Sequence, residues 1–385
     1  MQRKTLVRLL TIFILAITFS ATAQEGMHTK ELAPGVKKEK TKKEEIKEYI
    51  NHHLLDSHDF NLFSSTDEET GEVHHYGFPL PVILWDNGIK IFSSSKFHHG
   101  EEVVESNGKY YVLHHEKIYR TDAEGIINYD AEHGDHPANV RPIDFSITKS
   151  VVMMLFTGIL LILLFRGLAK SYNTNKGVAK GIGRFFEPIV IYIRDDIAIA
   201  NIGEQKYQRY LPFLLTVFFF IWFLNMFGLT PLGVNVTGNI AVTTALALIV
   251  FLITNFTGTK DYWKHIVDPL GNGMPWFGKI FIYIILVPIE LLGLIIKPFA
   301  LLIRLYANMT AGHVVLMSLI GLIFIFKSWI GGPLSFGLSF AISLIELLVA
   351  LLQAYIFTML AALYFGFASE SHADHEAHDG EVTHL

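Results

Sequence analysis

The sequence predicts an α-helical polytopic membrane protein with about five membrane-embedded helices or hairpins, the last two long and tilted, and a small periplasmic α+β domain. Three observations carry that class. Long apolar stretches recur from residue 147 onward. Only 17% of the 385 residues are charged and mean hydropathy is +0.37, where soluble domains average about 25% charged. The chain also opens with an export pattern. Net charge is −5, so no basic excess offers nucleic acid a surface. The absence of cysteine removes disulfides, thiol nucleophiles and thiolate metal sites. No cofactor is expected.

Arg3, Lys4 and Arg8 precede the apolar run from Leu9 to Phe19, and Ala21-Thr22-Ala23 supplies small residues ahead of Gln24. These are the parts of a signal peptide over residues 1–23. The run is shorter than the roughly 20 residues of a membrane span, so cleavage is expected. Residues 24–146 then lie in the periplasm. Within them, Ile46, Tyr49, Ile50 and Leu54 keep helical spacing and predict one amphipathic helix over 39–56. After it the period falls to two. Residues 82–85 and 89–92 flank Asp86-Asn87-Gly88, and 102–105 and 109–113 flank Asn107-Gly108. Asn-Gly between alternating strands predicts a hairpin at each place.

Histidines recur in pairs at His52-His53, His74-His75, His98-His99 and His114-His115, with His133 and His136 beyond. Adjacent side chains on a strand point to opposite faces, which disfavours shared ligation of one ion. Solvated surface histidines are the expectation and a metal site is not. A collector of protons at the outer surface is the third reading, since imidazole titrates near pH 6.5.

Apolar stretches follow at 147–165, 211–232, 239–257, 277–296, 299–326 and 333–368. Between the first two lie Arg166, Lys170, Lys176, Lys180, Arg184 and Arg194, which the positive-inside rule puts in the cytoplasm. Phe185 to Ile202, with Glu187, Arg194, Asp195 and Asp196 interleaved, predicts a helix lying on that surface. The loop Lys260 to Lys264 returns to the same side. Pro288, Pro298 and Gly331-Gly332-Pro333 punctuate the last tracts, whose length demands strong tilt or breaks. The membrane domain is expected over 147–368. An acidic, His-containing tail over 369–385 is expected to be solvated and cytoplasmic.

Seven ionisable residues interrupt this apolar sequence: Lys279, Glu290, Lys297, Arg304, His313, Lys327 and Glu346. Lys279 and Lys327 sit near tract ends and are expected to snorkel. Charges deeper in the bilayer cost several kcal/mol and mark function by default. Arg304 and Asn308 share one helical face, His313 is about 180° round from them, and Glu346 and Gln353 share a face of the last helix. An inert pair of Arg304 with Glu290 or Glu346 is the bland alternative. Such pairs seldom stabilise a fold.

The run Leu301-Leu302-Ile303-Arg304-Leu305-Tyr306-Ala307-Asn308-Met309-Thr310-Ala311-Gly312-His313 resembles the signature of subunit a of F-type ATP synthases. Pro288-x-Glu290, Lys297-Pro298, Glu346 and Leu352-Gln353-Ala354-Tyr355-Ile356-Phe357 are similar to the same family at matching spacings, over roughly 145–368. The resemblance implies a proton-translocating stator subunit of the Fo sector in the bacterial inner membrane, with two half-channels to a rotating c-ring. Its partners would be that ring, the peripheral-stalk b subunits and membrane lipid. Arg304 would be the ring-facing cation and half-channel separator, Glu290, His313 and Glu346 the proton pathway, and Asn308, Gln353, Asn225 and Asn239 polar support. Some relatives carry the acid on the arginine helix and the histidine on the last one; His313 and Glu346 are reversed. Gly228 stands where relatives can carry an acid. The exported extension and the tail lie outside the family's common core.

The chain carries no GxxxxGK[ST] nucleotide loop, so any synthase chemistry belongs to other subunits. A secondary transporter or ion channel with a periplasmic sensor domain is the alternative, but the internal repeat common in transporters is missing. A periplasmic metal-binding protein merely anchored in the membrane would leave Arg304, His313 and Glu346 without purpose.

Overall fold

The computed structural model describes residues 55–66, 73–100, 102–129, 137–230, 234–268, 276–325 and 331–369. The expected signal peptide, most of the expected helix over 39–56, the histidines at 52, 53, 133 and 136, Lys327 and the tail lie outside these residues. Leu55 and Asp56, at that helix's expected end, are not helical.

The extension is built of short antiparallel strands. β1 (Asp59–Thr66) pairs with β2 (Val73–Pro79), β3 (Pro81–Trp85) lies between β4 (Ile89–Ser93) and β8 (Ile143–Asp144), and β5 (Val104–Ser106), β6 (Lys109–His114) and β7 (Lys117–Thr121) form a meander. Both Asn-Gly hairpins form where expected. Trp85 pairs with Ile89 and Ser106 with Lys109. Asn107 and Gly108 have φ of 53° and 73°, the left-handed conformation that a two-residue hairpin demands and that Asn and Gly tolerate. Val82, Leu84, Phe92, Phe97, Val104, Tyr111 and Ile118 close into one small core. Beside it, Asp86 accepts from Lys109 Nζ at 2.7 Å and from the Tyr111 hydroxyl at 3.1 Å. The Lys109 hydrogen bond holds the Asp86 carboxyl below its usual range, while burial pushes the Tyr111 hydroxyl up to about 12.

The helices of the second part are α1 (Lys149–Thr174), α2 (Ile182–Tyr192), α3 (Tyr207–Gly228), α4 (Ile240–Thr257), α5 (Lys260–Val267), α6 (Trp276–Ile325) and α7 (Gly331–Ser369). Of these, α1, α3, α4, α6 and α7 contain the five spans long and apolar enough to cross a membrane. In lipid the helix is the form that satisfies every backbone group within one segment. The tracts 277–296 and 299–326 are not separate helices: both belong to α6, which runs 50 residues through Pro288 and Pro298. Each proline removes one backbone donor without ending the helix, because the flanking apolar sequence has no polar environment in which to unwind. At 1.5 Å per residue α6 is about 75 Å long and α7 about 58 Å, roughly twice a 30 Å hydrocarbon layer or more. Both helices run unbroken over that length.

The surface helix expected over 185–202 is present as α2, continued through a π-helical stretch Ile193–Ile199 and a last turn Ala200–Ile202. Ile193 and Ile197 are buried against the bundle. Tyr172 at the end of α1 donates to Glu187 of α2 at 2.6 Å. The end of α7 meets the same end of the bundle. Lys206 Nζ donates to the Ser369 carbonyl at 2.8 Å, and the Thr259 N–H to the Ala368 carbonyl at 2.9 Å. The basic loop, the 258–262 loop and the close of α7 therefore share one face.

At the opposite face the extension joins the bundle directly. Lys149 N–H donates to the Ser57 carbonyl at 3.0 Å. Thr148 precedes α1 but its side chain does not cap it; Asp56 does, accepting from Ser150 N–H at 3.1 Å and from the Thr148 hydroxyl at 2.8 Å. Below them, His58 Nε2 bonds Asp144 at 2.9 Å.

Candidate functional site

Leu301, Leu305 and Met309 form a stripe on α6 that packs into the helical core, and His313 continues it at the next i+4 position. Arg304 and Asn308 project from the other side and are exposed. The half-turn separation read from spacing thus becomes a division between an inward imidazole and an outward cation. No carboxylate pairs with Arg304 among the described residues, which removes the inert buried pair. Tyr364 of α7 lies within reach of its charge.

His313 is buried beside the end of α3. A Cβ built on Gly228 would stand 3.2 Å from its Nε2, so the imidazole occupies the space that a side chain at 228 would take. That nitrogen has no hydrogen-bond partner among the described residues. Glu346 arrives from α7 and lies on the backbone of Gly312, where a Cβ would collide with both carboxylate oxygens. Glycine next to His313 is what lets the acid approach. Gln353 is buried two turns on, in the stripe Ala350, Ala354, Phe357 and Ala361. The small residues of that stripe let α7 pack closely on its neighbours.

Asn225 of α3 is fully buried, and both ends of its amide are used. Its Nδ2 donates to the Ala350 carbonyl at 3.3 Å, one turn from Glu346, and its Oδ1 accepts from the Thr237 hydroxyl at 2.6 Å. A buried amide left unpaired would cost about 1–3 kcal/mol. Thr237 sits in the short 3₁₀ turn Val236–Gly238 between α3 and α4. Asn239 is not inside a span as expected. It stands ahead of α4 as its cap, its Oδ1 accepting from Ala241 N–H at 2.9 Å, and its Nδ2 donates to Asp56 at 3.4 Å. The reason is local: the side chain supplies one of the acceptors that the first turn of a helix lacks.

Glu290 belongs to the other end of the bundle. It is half-buried on α6, and its charge, after burial, is the second influence raising the Tyr262 hydroxyl above its ordinary value. Lys297 lies over the rings of Tyr364 and Phe367, 5.9 Å from each centroid, and lines a small cavity with Thr254, Asn255 and Tyr262. The Lys279 side chain lies outside the described residues. Along α6, Arg304 is about 21 Å from Glu290 and about 14 Å from His313 at 1.5 Å per residue. The structure brings together His313, Glu346 and Asn225. It keeps Glu290 apart, with Arg304 between.

Thr237 and Asp56 were not readable as site residues. The polar run Asn235-Val236-Thr237-Gly238-Asn239 between two apolar tracts was the available signal. In the extension, His114 and His115 depart from the opposite-face expectation: His115 has φ of 47°, so the strand has ended and the two rings meet edge-on at 4.2 Å. Among the described residues, no three His or carboxylate side chains converge on a metal geometry.

Residues 151–366 match the family described as ATP synthase A chain, and residues 49–145 match a family described as a domain of unknown function. The chain is 44% identical over 254 residues to the ATP synthase subunit a of Chloroherpeton thalassium, spanning 64% of this chain and 73% of that one. It is 44% identical over 259 residues to the ATP synthase subunit a of Myxococcus xanthus, spanning 64% and 82%. With the ATP synthase subunit a 2 of Prosthecochloris aestuarii it shares 39% identity over 323 residues, 79% of this chain and 94% of that one.

Proposed function

The chain belongs to the ATP synthase A chain family, the proton-translocating stator subunit of the Fo sector, and from that premise we propose that Arg304 divides two half-channels and faces the carboxylate of a rotating c-ring. One observation carries the residue assignment: a permanent cation is exposed within a 50-residue apolar helix and has no anionic partner among the described residues. Hydrocarbon does not accept such a charge without a cost of several kcal/mol. The surface around it calls for a partner that brings an anion to that depth, and a ring carboxylate answers the demand.

His313, Glu346 and Asn225 line the outer half-channel, and Glu290 the inner one. A proton arriving from outside reaches Glu346 and passes to the ring carboxylate, which then turns into lipid as a neutral acid. On the far side of Arg304 the ring site loses its proton toward Glu290. Arginine suits the dividing position because its pKa above 12 keeps it charged throughout. It favours the ionised ring carboxylate as that group passes, and it repels protons that would hop straight between the half-channels. One proton falling through 100 mV yields about 2.3 kcal/mol, which becomes rotation only while that leak is small.

The protein is a multi-pass membrane subunit. The finer topology follows from charge: the basic loop lies in the cytoplasm, the close of α7 lies beside it, and the extension lies in the periplasm. Peripheral-stalk b subunits and lipid cover the remaining outer faces. The test is ATP-driven proton pumping in inverted membrane vesicles, with assembly checked by ATP hydrolysis. Arg304→Ala is expected to abolish pumping in assembled complex. Persistent pumping would make Arg304 structural and move the transporter alternative ahead.

A further inference from the structure

The outer proton path has no assigned beginning, and the described residues offer one at the seam between extension and bundle. Asp56 is half-buried there. One carboxylate oxygen accepts from Ser150 N–H at 3.1 Å; the other accepts from the Thr148 hydroxyl at 2.8 Å and from Asn239 Nδ2 at 3.4 Å. The first two contacts are what a cap of α1 requires. The third is not, and it leads inward.

From Asn239 the chain turns back through Gly238 to Thr237, whose hydroxyl donates to Asn225 at 2.6 Å. Asn225 donates in turn to the Ala350 carbonyl, one turn from Glu346. Polar groups therefore follow one another from the extension to the His313 and Glu346 pair, while Ile221, Leu224, Val234 and Val236 around them are apolar and buried. The groups facing Asp56 are charged or titratable from each adjoining element. Lys149 opens α1 and lies in the field of both Asp56 and Glu116, and His58 lies in the field of Asp56, Glu116 and Asp144.

We propose that Asp56, a residue of the extension, is the outermost proton-carrying group of the outer half-channel. This rests on the proton-channel function above. In the inward direction the carboxylate takes a proton from outer water, forming an O–H bond. That bond breaks as the proton passes to a water molecule beside Asn239, and that water gives up one of its own protons toward the Glu346 carboxylate. One proton enters, one leaves, and Asp56 returns to its anion. In ATP-driven pumping the same steps run outward.

The test uses assembled complex in inverted vesicles and reads the initial rate of ATP-driven pumping between pH 6 and 9. Asp56→Asn keeps an oxygen for the Ser150 N–H and turns its NH2 toward the Thr148 hydroxyl, which can accept as well as donate, but it cannot carry the proton. It is expected to slow pumping by at least about fivefold, less than the 10²–10⁴ of a positioned acid or base because water offers a parallel route. Asp56→Glu is expected to restore most of the rate. Thr148→Val, which removes a cap contact and leaves the carboxylate, is expected to pump within about twofold of wild type. Wild-type pumping by Asp56→Asn at every pH would overturn the proposal. So would failure of that variant to assemble, or a loss in Thr148→Val as large as in Asp56→Asn, since either makes Asp56 an anchor. Arg304→Ala in the same preparation keeps the two questions apart: if it still pumps, the channel function itself fails, whatever Asp56 does.

Discussion

Arg304 and His313 show how one helix serves two environments at once. Residues four apart share a face and residues nine apart do not, and the exposed cation and the buried imidazole are nine apart. Lysine at 304 would not substitute, because a desolvated ammonium loses its proton where a guanidinium does not; Arg304→Lys is expected to fail in the pumping assay as Arg304→Ala does. Gly312 makes a second test. Its missing side chain is the space that Glu346 fills. Gly312→Ala forces the carboxylate away at an overpacking cost of about 1–3 kcal/mol, which is roughly 5- to 150-fold in rate if it all falls on proton transfer. An unchanged pumping rate in assembled Gly312→Ala would show that Glu346 need not lie on that backbone. Arg304, His313, Glu346 and Asn225 stood out as candidates because lipid makes any polar residue conspicuous. Thr237 and Asp56 were not, because a hydroxyl or carboxylate in an ordinary polar segment carries no such contrast, and Asp56 meets Asn239 across 183 residues.

At the scale of elements, legibility tracked locality. The hairpins at Asn87-Gly88 and Asn107-Gly108 each specify themselves within a dozen residues. β1 and β2 are joined by Asp67-Glu68-Glu69-Thr70-Gly71-Glu72, which offers no Asn-Gly turn, and β8 is two residues that pair with Leu84 and Trp85. Neither announces itself. The continuity of α6 was hidden for the opposite reason: proline punctuates water-exposed helices strongly, and the apolar surroundings of α6 weaken that rule. The π-helical stretch after α2 left no sequence signal either, but it has a packing consequence. Its last turn brings the Asn201 backbone against Gly366 of α7, with the Asn201 carbonyl carbon 3.1 Å from where a Cβ would stand. Backbone cannot rotate away as a side chain would. Gly366→Ala is expected to destabilise the helical core by about 1–3 kcal/mol, read as a lower thermal midpoint of the solubilised complex; an unaltered midpoint would mean that α7 slides freely on this helix.

The molecule as a whole is two polar-and-apolar regimes joined at one seam, and the seam responds to acid. Burial opposes charge on His58, but the hydrogen bond and charge of Asp144 prevail and hold its pKa above 6.5. Burial likewise opposes the Asp144 anion, yet His58 and Ser146 hold its pKa below 3.8. The His58 contribution is complete below pH 6.5 and is lost as pH rises through the elevated native value; the Asp144 contribution is complete above 3.8 and is lost as pH falls through the depressed one. Resistance of the extension to protease, measured on the whole protein, is expected to peak between pH 4 and 6.5 and to decline toward pH 9, and His58→Phe to flatten that decline. A profile already flat in the wild type would show that the pair does not hold the seam. The same seam also sets an order in time. Asp56, Thr148 and Ser150 leave the ribosome well before Asn239, which follows Asp56 by 183 residues. Ser150, the last of the three, precedes Asn239 by 89 residues, about 4–18 s at 5–20 residues per second. The strands of the extension and the start of α1 are thus synthesised before the turn that docks on them, and a folded extension would offer the later helices a template on which to assemble.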